Sequence, residues 1–340
     1  MKKFLSVVLA FLMLAVMLPT TALADTAVSP CVAKIGDTGY DSLDNAIKAA
    51  ANEADPTTIN LEPGVTVYLS SGVANEGAAR NVEIVGNNTQ TVDVITNAIS
   101  AEGGMLSYQR DSRFVFKGVI IQAGEGNFDG IVCGDLTFEN CTIKGKLTLY
   151  GAATFTGCTF QNTMADQYSI WTWGGTAVTV ENCTFNTNGK AILLYGQATA
   201  QNPTNLVVNN CTFNDRNNGS AGKAAIEIGN DYNATYKLTV TGATVNGFAP
   251  GKNTGSKLWG NKNGMTVGET LTMETDRITE RPYTDPTTSG TITIIVPSTE
   301  DTPKTDDQKN PATGANDLVA VAVAAAALAL AGSAIILRKD

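Results

Sequence analysis

Phe138-Glu139-Asn140-Cys141-Thr142-Ile143 decides the reading of this chain, because the pattern returns. It recurs as Phe155-Thr156-Gly157-Cys158-Thr159-Phe160, as Val180-Glu181-Asn182-Cys183-Thr184-Phe185 and as Val208-Asn209-Asn210-Cys211-Thr212-Phe213. Looser copies flank the set at Phe116-Lys117-Gly118-Val119-Ile120-Ile121 and Val240-Thr241-Gly242-Ala243-Thr244-Val245. Marked at the cysteine position (119, 141, 158, 183, 211, 243), the copies lie 22, 17, 25, 28 and 32 residues apart. A second pattern lies between them, an apolar residue followed by glycine: Tyr150-Gly151, Trp173-Gly174, Tyr195-Gly196 and Ile228-Gly229. The stretches before those glycines are Leu147–Tyr150, Ile170–Trp173, Ile192–Tyr195 and Ala225–Ile228. Each repeat therefore reads as two short strands joined by Gly/Asn-rich turns, with no long helical period. Units of this length cannot bury their own apolar face and must stack into a solenoid. A β-sandwich also has strands at short spacing, but it gives no reason for one Asn/Gly-Cys-Thr register to recur.

This repeat style, from roughly residue 32 to residue 250, resembles the pectate-lyase-like superfamily. The resemblance implies an all-β fold, a right-handed single-stranded parallel β-helix (solenoid). It speaks for fold rather than activity. Within that superfamily, the polygalacturonase branch carries a Gly-His-Gly element, and this chain has no histidine. The pectate-lyase branch uses an Arg base beside calcium-binding aspartates. Arg80, Arg110, Arg113 and Arg216 sit in no recognisable version of that motif.

An open solenoid end exposes unpaired strand edges and needs a cover. Asp41-Ser42 precede Leu43, Ala46, Ile47 and Ala50, an i, i+3, i+4, i+7 apolar spacing with a capping residue in front. With Val32–Ile35 this predicts an N-terminal cap over residues 25–55 of a helix domain spanning 25–255. After Gly251 the register changes: a Lys/Asn/Gly-rich stretch precedes strand-like pieces at Met265–Val267, Thr270–Met273 and Thr291–Val296. These predict a small C-terminal β cap or extra module over 256–297. Residues 298–309 are rich in Pro, Thr, Asp and Lys and read as a spacer. At about 3.1 Å per residue it reaches on the order of 40 Å.

Both ends carry an address. Met1-Lys2-Lys3, the apolar run Phe4–Leu18 and Ala22-Leu23-Ala24 form a secretory signal peptide over 1–24, cut after Ala24, with Ala22 and Ala24 as the small cleavage-site residues. The run is short for a span, which needs about 20 apolar residues. At the other end Leu318–Leu337 is 20 residues without a charge, followed by Arg338-Lys339. It predicts a transmembrane helix with its end cytoplasmic. Just before it stands Asn310-Pro311-Ala312-Thr313-Gly314. Motif, apolar helix and basic tail together over 310–340 resemble a sortase cell-wall sorting signal. The common pentapeptide there is Leu-Pro-x-Thr-Gly, from which Asn310 departs. The resemblance implies cleavage between Thr313 and Gly314 and attachment of Thr313 to peptidoglycan. The implied partners are signal peptidase and the secretion machinery, then sortase and peptidoglycan.

Lys2, Lys3, Arg338 and Lys339 account for 4 of 23 basic residues, and Asp317 and Asp340 for 2 of 32 acidic ones. The segment between the cuts keeps 19 and 30, a net charge of −11. That balance argues against nucleic acid and anionic lipid as partners. The absence of histidine removes Ser-His-Asp and Cys-His catalysis and His-ligated metals.

Cys141, Cys158, Cys183 and Cys211 share one repeat position, filled elsewhere by Val119 and Ala243, so the slot is small and apolar. They read as an inward ladder of core thiols on coils about 4.8 Å apart. Cys31 and Cys133 have no evident partner. Asn140, Asn182 and Asn210 read as a second structural ladder, their amides bonding from coil to coil as in cross-β stacks, rather than as glycosylation acceptors. Tyr150, Trp171, Trp173 and Tyr195 are the candidate ligand-binding group. Facing out, they suit stacking on sugar rings; facing in, they are core. Glu227, one residue before Ile228, argues that the Tyr150/Trp173/Tyr195/Ile228 position faces in, because a lone buried carboxylate is costly. Asp129, Asp135, Asp215 and Asp231 are the acidic candidates for paired-carboxylate chemistry or for calcium. Asn214–Gly219 only loosely resembles a calcium loop, and a plain Asn/Asp turn is the simpler reading. No catalytic set and no metal set emerges. The expectation is a wall-anchored binding or adhesion module for glycans or cell surfaces. The alternatives are a lyase or hydrolase of acidic glycans and a passive coat.

Overall fold

The computed structural model describes residues 30–50, 54–70, 79–94, 105–107, 111–123, 130–164, 167–174, 176–196, 199–229, 235–262 and 271–285. The signal peptide, the spacer, the sorting motif and the apolar run 318–337 lie outside them. Among the described residues no helix is long and apolar enough to cross a membrane.

The chain winds as an all-β solenoid of stacked parallel strands. One coil shows the plan: strands Asp135–Glu139, Thr142–Lys144 and Leu147–Leu149, separated by tight corners. A coil therefore has three faces, not the two strands expected from the repeat. The motif Phe138–Ile143 straddles the corner between the first and second faces, so its two halves lie on different strands. The first two faces run together as an 18-stranded sheet and the third is a 7-stranded one. The strands pair in parallel, except that Ala33–Ile35 pairs antiparallel with Thr38–Tyr40 and Thr57–Leu61. Parallel, in-register stacking rules out the sandwich.

Register explains the repeat. Phe138 pairs with Phe116 on one side and Phe155 on the other, and the column continues through Val180, Val208 and Val240. It also extends to Ile84 and Ile59, two rungs earlier than the repeat made visible. On the second face Ile143, Phe160, Phe185 and Phe213 stack in line. Like side chains then meet face to face: Phe138 and Phe155 lie 4.8 Å apart at 4°, and Phe160 and Phe185 lie 4.2 Å apart at 2°. Such ring pairs contribute about 0.5–1.5 kcal/mol each beyond the area they bury.

The cysteine column is inward, as the Val/Ala exchange implied. Cys141, Cys158, Cys183 and Cys211 are buried and free. Each thiol donates to a carbonyl of the preceding coil, from Cys141 to Phe116 at 3.3 Å through Cys211 to Val180 at 3.4 Å. Cys133 is also buried, and burial pushes its thiol up to about 12.

The asparagine column differs from the expected ladder. On successive coils the corner reads Gly118, Asn140, Gly157, Asn182, Asn210 and Gly242, so Gly157 interrupts it. All six share a positive φ, between 52° and 79°. Asn and Gly recur here because they tolerate the left-handed region. The amide ladder stands elsewhere, at the end of the second face. Asn214 Nδ2 donates to Asn186 Oδ1 at 2.9 Å, and Asn246 Nδ2 donates to Asn214 Oδ1 at 2.7 Å. Arg281 Nε ends the run on Asn246 Oδ1 at 2.7 Å.

At the start, Ser42 Oγ accepts from the Asn45 N–H and opens the helix Leu43–Ala49, which buries Leu43, Ala46 and Ile47. Arg80 Nη1 donates to the carbonyls of Lys48 and Ala50 at its far end, both at 3.3 Å. At the other end, parallel pairing with the solenoid continues past residue 255. Trp259–Asn261 pairs with Ile226–Ile228, while Leu271–Met273 and Ile278–Arg281 pair with Tyr236–Asn246. Trp259–Asn261, Leu271–Met273 and Ile278–Arg281 thus keep the parallel register of the preceding coils, while the expected pieces Met265–Val267 and Thr291–Val296 lie outside the described residues.

Candidate functional site

The third face carries the site. Its inward columns are Leu147, Ile170, Ile192 and Ile226, then Leu149, Thr172, Leu194 and Ile228. Between them an outward column runs Thr148, Trp171, Leu193, Glu227 and Gly260. Ile228 therefore stands beside Leu194, one residue out of line with Tyr195. Alignment on the glycine after each strand misplaced it. With the register corrected, alternation puts Trp171, Trp173 and Tyr195 on the outer side, each half-buried. Thr172 points in, and its hydroxyl grips the Tyr195 backbone, donating to its carbonyl at 3.2 Å and accepting from its N–H at 3.0 Å.

The aromatic side chains cluster there. Trp171 and Tyr195 meet edge to face at 5.0 Å and 87°, and Trp173 lies 5.6 Å from Tyr195. Trp171 and Tyr195, with Tyr168, Leu193 and three lysines, Lys190, Lys223 and Lys262, line an open pocket of about 400 Å³, and Trp173 stands outside its lining. Tyr150 is half-buried and is not part of the lining. Cations sit on the rings: Lys146 Nζ lies 3.9 Å from the Trp171 centroid, Lys190 Nζ 5.7 Å from Tyr168 and Lys262 Nζ 6.0 Å from Tyr195. The closest of these, from a wholly buried lysine, is the strongest by the usual distance dependence.

Glu227 lies in the same column at 0 % exposure. Its Oε1 accepts from the Ala224 N–H at 3.0 Å, and its Oε2 has no hydrogen-bond partner. Burial holds this carboxyl above its ordinary range, against the Ala224 hydrogen bond and the charges of Lys223 and Lys262. Burial, and then the Glu227 charge, likewise raises the Tyr168 hydroxyl. The cost expected of a lone buried carboxylate is real, and these two lysines are its counter-charges.

The other candidates do not join the site. Asp215 is buried and spends both oxygens on its own turn, Oδ1 accepting from the Asn217 N–H at 2.9 Å and Oδ2 from the Gly219 N–H at 2.7 Å. Asp135 lies 3.8 Å from Arg113 on the first face. Asp129, Asp231 and Arg110 lie outside the described residues. Among the described residues no three His, Cys, Asp or Glu side chains gather in a metal-binding group. The described pocket lining holds no carboxyl, whereas glycoside hydrolysis uses two. What the arrangement can do is hold a ring against aromatic faces and an anion against ammonium groups.

Sequence reading missed the lysines, and a signal existed. Gly145-Lys146, Gly189-Lys190 and Gly222-Lys223 each stand just ahead of a third-face strand, with the glycine at positive φ. No protein family, curated protein or solved structure matches this chain.

Proposed function

We propose that the chain is exported, processed at both ends and displayed on a cell wall as a right-handed parallel β-helix that binds glycans or glycan-bearing cell surfaces. The observation that carries this is the outward cluster Trp171–Tyr195–Trp173, of which Trp171 and Tyr195 line a pocket of about 400 Å³. Flat apolar ring faces beside polar groups are what a sugar needs: its C–H face stacks and its hydroxyls hydrogen-bond. The address rests on the signal peptide, on Asn310–Gly314 and on the apolar run that follows. The Leu43–Ala49 helix serves as the N-terminal cap and keeps the strand edge from pairing with other chains. The spacer holds the solenoid away from its attachment at Thr313.

Binding of the purified protein to a broad glycan array, with and without calcium, tests the reading. Retention of a defined glycan set, lost in Trp171→Ala while cooperative unfolding is retained, supports it. A blank array moves the protein to a protein-binding or purely structural role.

A further inference from the structure

We propose that the third-face pocket takes an anionic sugar, its charged group seated between Lys223 and Lys262 and its ring against Tyr195 and Trp171. The inference rests on the glycan-binding reading and names the chemistry of the ligand.

The argument starts from charge. The chain carries a net −9, yet the described lining of this pocket gathers Lys190, Lys223 and Lys262 and no acid. On the first face Lys117 is matched to carboxylates of neighbouring coils, to Glu83 at 2.8 Å and to Glu139 at 3.4 Å. Lys34 is held by Glu62 in the same way. Lys223 and Lys262 form no ion pair within 4.0 Å among the described residues. The charge that opposes them is Glu227, which is buried, lies outside the described lining and has one oxygen without a partner. Ammonium groups facing an open cavity leave room for a second anion, and charge-assisted hydrogen bonds to it are the stronger kind. The aromatic wall adds a demand that a simple ion does not meet, because the anion must be carried on something with a flat apolar face. A carboxylate, sulfate ester or phosphodiester on a saccharide satisfies both.

The full chain, kept in solution with mild detergent, is titrated with lactose, sialyllactose, lactose sulfate and poly(glycerol phosphate), followed by tryptophan fluorescence and calorimetry. We expect at least one anionic sugar to bind about tenfold or more tighter than lactose, a preference that shrinks at high salt. Lys223→Gln with Lys262→Gln removes that preference while cooperative unfolding is retained, at a lower midpoint because Glu227 loses its counter-charges. Adding Glu227→Gln restores the midpoint but not the preference, and Lys34→Gln on the first coil keeps both. The sialyl and sulfate arms tell which anion the seat accepts, and poly(glycerol phosphate), an anion without a sugar ring, is the control for the ring. Equal binding of lactose and the anionic sugars, or a preference that survives the double lysine variant, overturns the anion seat and leaves the glycan reading standing. Binding of poly(glycerol phosphate) alone overturns the ring half of the proposal. No binding of any probe overturns both.

Discussion

Glu227 and Gly260 pair on adjacent coils of the third face, and the carboxylate of one fills the space where a side chain on the other would begin. A Cβ added at Gly260 would stand 2.7 Å from Glu227 Oε1 and 3.1 Å from Oε2. A buried acid beside a glycine, with Lys223 and Lys262 as its counter-charges, forms a single electrostatic unit.

Gly260→Ala should therefore disturb the pocket rather than the coil alone. The added methyl displaces the carboxylate from its hydrogen bond to Ala224. The expected cost is about 1–3 kcal/mol, together with weaker ligand binding. Thermal unfolding and a ligand titration of the same variant check it. An unchanged midpoint would mean that Glu227 relaxes freely.

Glu227→Gln should stabilise the protein at neutral pH. Burial raises the folded-state pKa of this carboxyl, so the folded protein takes up a proton at a pH where the unfolded chain does not. The penalty for burying the charge is then present above the folded pKa and is relieved as pH falls through it. The amide keeps the shape and the acceptor for Ala224 but carries no charge. Its midpoint should exceed that of wild type by about a few degrees at pH 8, and the two should converge as the pH is lowered towards 4. A gap that does not depend on pH contradicts the assignment.

The left-handed corner column should rank its substitutions by backbone and not by polarity. Asn182, at φ 53°, should accept Gly almost neutrally, whereas Asn182→Val should cost on the order of 1–2 kcal/mol. Gly157→Ala should cost more than a strained φ alone, because its Cβ would meet Asn140 Oδ1 at 2.5 Å. Chemical denaturation of the three variants tests the order.

The thiols should divide by burial. Of the six cysteines, Cys31 is exposed and the other five are buried. One thiol should react quickly with an aromatic disulfide reagent in the native protein and six after unfolding. Fast native labelling of Cys158 or Cys183 would show that the coil stack opens.

The core columns were legible because one motif carries two faces. Phe138 and Ile143 face inward on either side of a corner, and Cys141 between them marks the register by its small size. The third-face strands were legible as the apolar stretches before each glycine. The corner inside the motif was not, because Asn140-Cys141 breaks one continuous-looking strand into Asp135–Glu139 and Thr142–Lys144. The first coils were hidden because Ile59 and Ile84 lack the Asn/Gly-Cys-Thr corner. The amide ladder was missed where the reading stopped at Phe185 and Phe213, one residue short of Asn186 and Asn214. Facing was misjudged at Tyr195, where the glycine after each strand was taken as the register mark. The strand pairing instead sets Ile228 against Leu194. Clustering of Lys190, Lys223 and Lys262 required the coil stack itself, because those residues lie up to 72 positions apart in the chain.

The central claim is that the outer aromatic pocket of the third face is a sugar site. Its most direct test is calorimetric titration of an array-identified glycan into wild type, Trp171→Ala and Tyr195→Ala, with thermal midpoints recorded alongside. The account predicts saturable one-site binding to wild type, with affinity lost by about tenfold or more in each variant while cooperative unfolding is retained. Full affinity in both variants would contradict it and place any sugar site on another face of the solenoid.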